Sequence, residues 1–258
     1  MDPTEVRAAF DRQMRGNAPP DGVGARVERV RDVVRQTGSA HDWNGVLWSD
    51  LQDGTAARAI AEQVEHFSSL GREFEWKLYS HDRPDTLADL LRAAGFTPGP
   101  AESLMVAESA AQADAPGPPD GVRLLPVTDA AGVDLLADVH EAAFGEDGTA
   151  LRRRLRARLA EAPETLVAVV ALADGSAVSA SRMELTPGTD FAGLWGGGTV
   201  PGWRGRGLYR AQIAFRARIA AARGYRWLQV DAAPMSRPVL QRLGFTELGT
   251  TTPYVYKP

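Results

Sequence analysis

The sequence contains no cysteine. Disulfides, thiolate zinc sites and a cysteine nucleophile are therefore excluded. Histidine is scarce. His41, His66, His81 and His140 are scattered, with no HExxH or paired spacing, so no metal site is expected. No apolar run approaches the ~20 residues needed to span a bilayer. Residues Met1 to Glu5 lack the basic-then-apolar order of a signal region. These absences predict a soluble, cytoplasmic protein that does not engage a membrane. Lysine occurs only at Lys77 and Lys257, and the formal net charge is −4. That balance argues against bulk nucleic-acid binding through a basic surface. The Gly-x-x-x-x-Gly-Lys-Ser/Thr pattern is missing too, which weighs against an ATP site.

What is present is enough for a substantial core: 258 residues, 44% of them hydrophobic. That length suits one large or two small domains. The clearest break is 109–121, a small, polar, proline-rich stretch with no apolar period. This is linker chemistry. It predicts a front domain at 1–108 and a back domain at 122–258.

In the back domain Val122–Val127 reads as a strand. Asp129 can cap a helix reaching Phe144, in which His140 is a packed residue. Leu151, Leu155 and Leu159 mark a second helix rich in arginine, whose charges could draw an acidic acceptor or simply face solvent. Thr165–Leu172 and Ala177–Leu185 read as strands joined by the Asp174-Gly175 turn. A glycine-broken strand follows at Phe191–Val200. Leu208, Ala211, Phe215, Ile219 and Ala222 form the apolar stripe of the next helix. Tyr225–Val230 is a strand, Ser236 can cap a short helix, and Phe245–Leu248 and Pro253–Tyr256 are final strands. The order predicts a mixed α/β fold.

The front domain echoes this order. Trp48, Gly71, Trp76 and Gly95-Phe96-Thr97 match Trp195, Gly224, Trp227 and Gly244-Phe245-Thr246, and Asp82-Arg83-Pro84 matches Ser236-Arg237-Pro238. The first Trp–Gly gap is 23 residues in front and 29 behind. The shortening falls on the strand-to-helix turn. The pattern predicts a duplicated unit whose first copy lacks that turn.

The turn itself is Val200-Pro201-Gly202-Trp203-Arg204-Gly205-Arg206-Gly207-Leu208-Tyr209. It joins a strand to a helix N-terminus, where unpaired N–H groups carry partial positive charge. Glycines allow close approach of the backbone to a ligand. No proline lies between Gly202 and Tyr209, so each N–H there is expected to be free to donate. Strand, glycine/arginine turn and helix start together predict an anion cradle for phosphate or pyrophosphate. Gly196-Gly197-Gly198 just before it suggests a bulge or a close backbone approach. Its simpler reading is packing against an aromatic such as Trp195 or Trp203.

The cradle resembles the acyl-CoA-binding motif of the GCN5-related N-acetyltransferases: Arg or Gln, two free positions, Gly, one free position, Gly or Ala. Arg204 fills the first place, Gly207 the fourth and Tyr209 the sixth. Val200-Pro201 and Leu243-Gly244-Phe245 are also similar to that family, and the front domain resembles a degenerate copy, as in tandem members. The resemblance implies two such domains, each a mixed, mostly antiparallel sheet flanked by helices. It implies acetyl-CoA as co-substrate and a small-molecule or peptide amine as acceptor. Main-chain groups of Gly198, Thr199 and Val200 would hold the thioester arm. Arg204, Gly205, Arg206, Gly207, Leu208 and Tyr209 would hold the pyrophosphate. An internal duplication lets one chain stand for a pair, so a monomer or a homodimer is expected.

The chemistry implied is direct attack of an amine on the thioester. The family often places an acidic tyrosine four residues before the Gly of Gly-Phe, where this chain has Leu240. Tyr209, Ser236, Tyr254 and Tyr256 are stand-ins. Glu184 is the first candidate base and Asp231 the second, with Glu141 able to line an acceptor pocket. Each carboxylate also has the plain reading of a solvated surface charge. The missing tyrosine keeps open a non-catalytic acyl-CoA-binding sensor.

Overall fold

A computed structural model describes residues 1–22, 24–40 and 42–258. His41 lies outside the described residues. In chain order the elements are α1 (Pro3–Phe10), a π-helical turn (Asp11–Gly16), β1 (Arg26–Val30), β2 (Val33–Thr37), β3 (Gly45–Ser49), α2 (Asp53–Ser69), β4 (Phe74–Tyr79), α3 (Leu87–Ala93), β5 (Thr97–Pro98) and β6 (Glu102–Glu108). There follow α4 (Ser109–Ala113), β7 (Val122–Val127), α5 (Ala130–Phe144), α6 (Thr149–Glu161), β8 (Leu166–Ala173), β9 (Ser176–Leu185), β10 (Phe191–Thr199), α7 (Leu208–Ala222), β11 (Trp227–Ala232), α8 (Arg237–Arg242) and β12 (Thr246–Tyr256).

The chain forms two compact units: 1–105 with 231–258, and 106–230. These are not the two stretches expected from the sequence. The C-terminal segment groups with the front of the chain because β12 pairs with β4, antiparallel from Thr251↔Tyr79 to Tyr256↔Phe74. That register sets Tyr254 opposite Trp76, and both are buried. The two final strands expected at 245–248 and 253–256 are one continuous strand. The stretch expected as a linker opens with α4. Ser109 Oγ donates to the Tyr225 carbonyl at 2.6 Å, and Arg218 donates to the Ala113 and Ala115 carbonyls at 2.9 Å each. Small residues here let the chain lie flat on α7.

In the first unit the strands run β1-β2-β3-β4-β12, with β5 also on β12. One face of β4 carries Phe74 and Trp76 into a core with Ile60 and Phe67 of α2, Leu87 and Leu91 of α3, and Phe96. Phe67 stacks on Phe74 with centroids 4.2 Å apart. Side chains alternate along a strand, so Glu75, Lys77 and Tyr79 take the opposite face. That face is ionic. Lys77 pairs with the buried Asp231. Arg15, from the π-helical turn, lies 4.0 Å over the Tyr79 ring and binds both carboxylate oxygens of Asp82 at 2.7 and 2.8 Å. It also reaches Asp11 at 2.7 Å and the Leu47 carbonyl at 3.1 Å. Asp82, expected to open a helix with Arg83 and Pro84, is thus an ion-pair partner, and α3 starts only at Leu87.

The element order β3-α2-β4-α3 repeats in the second part as β10-α7-β11-α8, and the strand pairs β3/β4 and β10/β11 are both parallel. The turns differ. At the start of α2, Gln52 N–H donates to Thr55 Oγ1 at 3.2 Å, and the Thr55 and Ala56 N–H groups donate to the Gln52 carbonyl. The N–H groups of Asp53 and Gly54 have no acceptor among the described residues.

The second unit has the order β11-β10-β9-β8-β7, with residues 106–108 of β6 beside β11. Asp129 caps α5 by accepting from Gly132 N–H at 2.8 Å. Val133, Leu136, Val139, Leu151 and Leu155 of α5 and α6 pack on Ala168, Val170 and Ala180. On the other face Leu208 packs on Ala171, Ala173 and Val178. The buried face of α7 differs from the expected stripe: Arg216 is 1% exposed, whereas Ala222 is exposed. The alanines of α7 are small enough for neighbours to close around its centre, which draws Arg216 inside.

Removing one partner of a buried ion pair leaves the other charge desolvated and uncompensated. Arg15→Leu is therefore expected to destabilise the protein by about 3–5 kcal/mol. Denaturant melts of the two proteins measure this, and a loss below about 1 kcal/mol would show that solvent reaches Asp82.

Candidate functional site

The site begins where two strands part. β10 and β11 pair in parallel at Phe191↔Trp227, Ala192↔Leu228 and Gly193↔Gln229, and the pairing stops there although β10 continues to Thr199. On its other edge β10 stays with β9 but is bulged between Trp195 and Gly198. The triple glycine explains the bulge. Gly196 has φ +58°, in the left-handed region, and a Cβ there would stand 2.8 Å from Arg182 Nη1. A Cβ on Gly197 would meet the Tyr209 ring at 2.6 Å, and one on Gly198 the Phe144 ring at 2.9 Å. The aromatics packed on the glycines are thus Tyr209 and Phe144, not the tryptophans expected. Ser179 Oγ fixes the strand end by bonding the Gly198 carbonyl at 2.7 Å and Thr199 Oγ1 at 2.8 Å. Val200 N–H donates to the Val178 carbonyl at 3.0 Å.

The turn follows as one 3-10 turn, Pro201–Trp203, and an open loop into α7. Trp203 N–H donates to the Val200 carbonyl and Arg204 N–H to the Pro201 carbonyl. The expectation that every N–H from 202 to 209 is free therefore fails at these two, because the 3-10 turn uses them. From Gly205 to Arg210 no main-chain N–H has an acceptor among the described residues. Gly205 has φ +76° and Gly207, the N-cap of α7, has φ +83°. At Gly205 a Cβ would meet nothing within 4 Å. The loop is thus open to solvent.

The arginines divide by role. Arg204 is a strut: its Nε donates to the Thr199 carbonyl and its Nη2 to the Ala143 carbonyl, each at 3.1 Å. The second bond satisfies a carbonyl in the last turn of α5, which has no partner within its helix. Arg206 stacks over the Trp203 ring at 4.6 Å. Arg206 and Arg210 have no carboxylate partner among the described residues, and both are exposed. Arg210 lies outside the expected set. Its position on the first turn of α7 was the available signal.

The expected catalytic residues have defined surroundings. Glu184, 24% exposed, accepts from Arg182 Nε at 3.0 Å. Tyr209 lays its ring on Gly197, and burial holds its hydroxyl above the ordinary phenol range against the opposing charge of Arg216. Burial pushes Arg216 itself down to about 10; its acceptors are the Gln212 carbonyl at 3.1 Å and the Arg182 carbonyl at 2.6 Å. Ser236 stands before α8, but its Oγ donates to the Ala233 carbonyl at 3.0 Å and caps nothing. Ser236 belongs to the first unit, whereas Glu184 and Tyr209 belong to the second. Asp231 is bound to Lys77, and Tyr254 is in the first unit's core with Tyr256 packed on it. Glu141 accepts from Arg152 and from Gly148 N–H, and these bonds hold its carboxyl below the ordinary range. Two arginines of the arginine helix are neutralised from α5: Arg152 meets Asp138 and Glu141, and Arg156 meets Asp134. Among the described residues no group of three or more His, Cys, Asp or Glu side chains could hold a metal ion, and no helix is long and apolar enough to cross a membrane.

No family model matches the chain, and no curated protein matches it in sequence. Solved structures do match in shape. A GCN5-related N-acetyltransferase from Kribbella flavida aligns over 99% of this chain and 94% of its own, with a TM-score of 0.70 and 17% identity. A functionally unknown conserved protein from Staphylococcus epidermidis aligns over 92% and 95%, with a TM-score of 0.68 and 13% identity. A tandem protein of the same acetyltransferase class from the clavulanic acid biosynthesis pathway aligns over 94% and 86%, with a TM-score of 0.57 and 16% identity. This chain has the fold of the GCN5-related N-acetyltransferases.

Proposed function

We propose that the protein is an acetyl-CoA-dependent N-acetyltransferase with a small-molecule or peptide amine as acceptor. The observation that carries this reading is the run of unsatisfied main-chain N–H groups from Gly205 to Arg210 at the start of α7, flanked by the unpaired Arg206 and Arg210. A diphosphate supplies the acceptor oxygens and the negative charge that such a loop lacks. Beyond Gly193, where β10 no longer pairs with β11, the strand edge suits an extended, amide-bearing arm such as pantetheine, which would add to the sheet edge as a strand does. In the duplicated-unit reading, the front copy binds no coenzyme, because Leu51 to Thr55 lacks the glycine/arginine loop that precedes α7.

In the proposed reaction the amine nitrogen, once neutral, attacks the acetyl carbonyl carbon. A main-chain N–H at Gly198 or Thr199 stabilises the oxyanion; that of Val200 is already donated to the Val178 carbonyl. The C–S bond then breaks, the nitrogen loses its remaining extra proton, and the thiolate leaves. A thiolate with a pKa near ~8.5 needs no dedicated acid, which accommodates Leu240 in the tyrosine's place. Tyr209, with its ring on Gly197 and its hydroxyl held above the ordinary phenol range by burial, supplies a proton where one is needed. Glu184 or water takes the ammonium proton.

One observation favours a second reading, a non-catalytic acyl-CoA-binding sensor: the side chains named as bases, Glu184, Asp231 and Glu141, are each tied to a cation. Thiol release from acetyl-CoA across a panel of amines separates the two. Turnover on any amine supports the transferase, and tight coenzyme binding with no release on all of them supports the sensor.

Gly207→Trp is expected to abolish coenzyme A binding in calorimetry while the circular dichroism spectrum persists. A side chain at φ +83° costs about 1–2 kcal/mol, too little to unfold the domain, while the indole fills the open loop. Unchanged affinity would remove the cradle from the reading. Arg206→Gln with Arg210→Gln is expected to weaken coenzyme A about tenfold at low salt, on the scale of one charge-assisted bond, and to flatten the salt dependence. An unaltered salt slope would show that these two charges do not face the ligand.

A further inference from the structure

The far side of the bulged strand carries a residue for which the reading above has no role. Phe144, the last residue of α5, is 44% exposed, one of few large apolar side chains so exposed among the described residues. Its ring does not float. A Cβ on Gly198 would stand 2.9 Å from Phe144 Cε2, 3.3 Å from Cζ and 3.0 Å from the Ala143 Cβ. The last turn of α5 therefore lies directly on the β10 backbone at Gly198, and only glycine leaves room for it. On its other side the ring meets His140, with centroids 4.9 Å apart.

The backbone under Phe144 is held at both ends. Gly145 ends the helix in the left-handed region at φ 75°, with its N–H on the Glu141 carbonyl at 2.8 Å. Arg204, from the cradle loop, donates to the Ala143 carbonyl at 3.1 Å while its Nε holds the Thr199 carbonyl. The same guanidinium thus ties the end of α5 to the end of β10. A rigid aromatic ring kept half in solvent is at a disadvantage unless something apolar comes to lie against it. Side chains alternate across a strand. Gly197 looks toward Tyr209 and Gly198 toward Phe144, so the two aromatics flank the bulge from opposite faces.

We propose that Phe144, held against Gly198 and steadied by the Arg204 strut, walls the bulged end of β10 where the acyl group would lie and restricts the donor to short acyl thioesters. The inference rests on the acyl-CoA reading above. An acetyl methyl fits beside the ring edge, whereas each further methylene of a longer chain must displace the ring or turn back into solvent. Arg204 is a positioning residue for this wall: it never meets the acyl chain, yet it sets where the ring stands.

The test is calorimetric and needs no acceptor. Free coenzyme A, acetyl-CoA and hexanoyl-CoA are titrated into the full chain, and the quantity read is the ratio of hexanoyl-CoA to acetyl-CoA affinity. The wild-type protein is expected to prefer acetyl-CoA by about tenfold, the scale on which apolar pockets discriminate between chains. Phe144→Ala is expected to raise the ratio about tenfold, and Phe144→Trp to lower it. Arg204→Met is expected to shift the ratio in the same direction as Phe144→Ala, whatever it does to coenzyme affinity in general. Ratios within about twofold of wild type for both Phe144 variants, with coenzyme A still bound, would overturn the wall; so would equal wild-type affinity for the two thioesters. Failure of the wild-type protein to bind free coenzyme A would instead overturn the acyl-CoA reading, and the wall with it.

Discussion

The second unit turns on main-chain hydrogen bonds that are left unmade. A buried or half-buried backbone donor without a partner is costly. From Gly205 to Arg210, where the loop enters α7, the chain nonetheless keeps its donors open, and exposure to solvent lowers the cost. Glycines make this arrangement possible. Positive φ at Gly196, Gly205 and Gly207 bends the backbone into paths closed to most side chains. The bareness of Gly197 and Gly198 admits Tyr209 on one face and Phe144 on the other.

Arginine performs the work that a lysine-poor chain cannot assign elsewhere. Its planar fork reaches several acceptors at once. Arg204 bridges two main-chain carbonyls from different elements, and Arg216 ties α7 to β9 in the same way. Arg15 gathers Asp11, Asp82 and Leu47 on the polar face of β4. In each case the guanidinium ties separate stretches of the chain together. The arginines that remain without a tie near the cradle, Arg206 and Arg210, are the ones available to a ligand. A formal charge count hides this division, because a net value of −4 gives no hint of a local cationic loop.

The two strand-to-helix loops differ in their hydrogen-bond accounting. At the start of α2 the N–H groups of Gln52, Thr55 and Ala56 find acceptors at Gln52 and Thr55, whereas at the start of α7 those from Gly205 to Arg210 find none. The two helices occupy equivalent places in a repeated order of elements, so the contrast isolates the glycine/arginine insertion as the source of the difference.

Local pattern determined much of this. The strand Val122–Val127, the Asp129 cap, the Asp174-Gly175 hairpin and the strand–turn–helix around Gly207 were all legible, because turn chemistry and apolar period act over a few residues. The glycine positions announced a close approach at 196–198. What the sequence could not say is which residues make that approach, since Tyr209 and Phe144 reach the glycines from other elements. Nor could it show that Arg204 faces two carbonyls, that Arg216 lies inside, or that residues 231–258 pack with the front of the chain. Those outcomes depend on strand pairing and on which charges are drawn out of water together. Both are contacts between residues far apart in the chain, and only the completed packing fixes them.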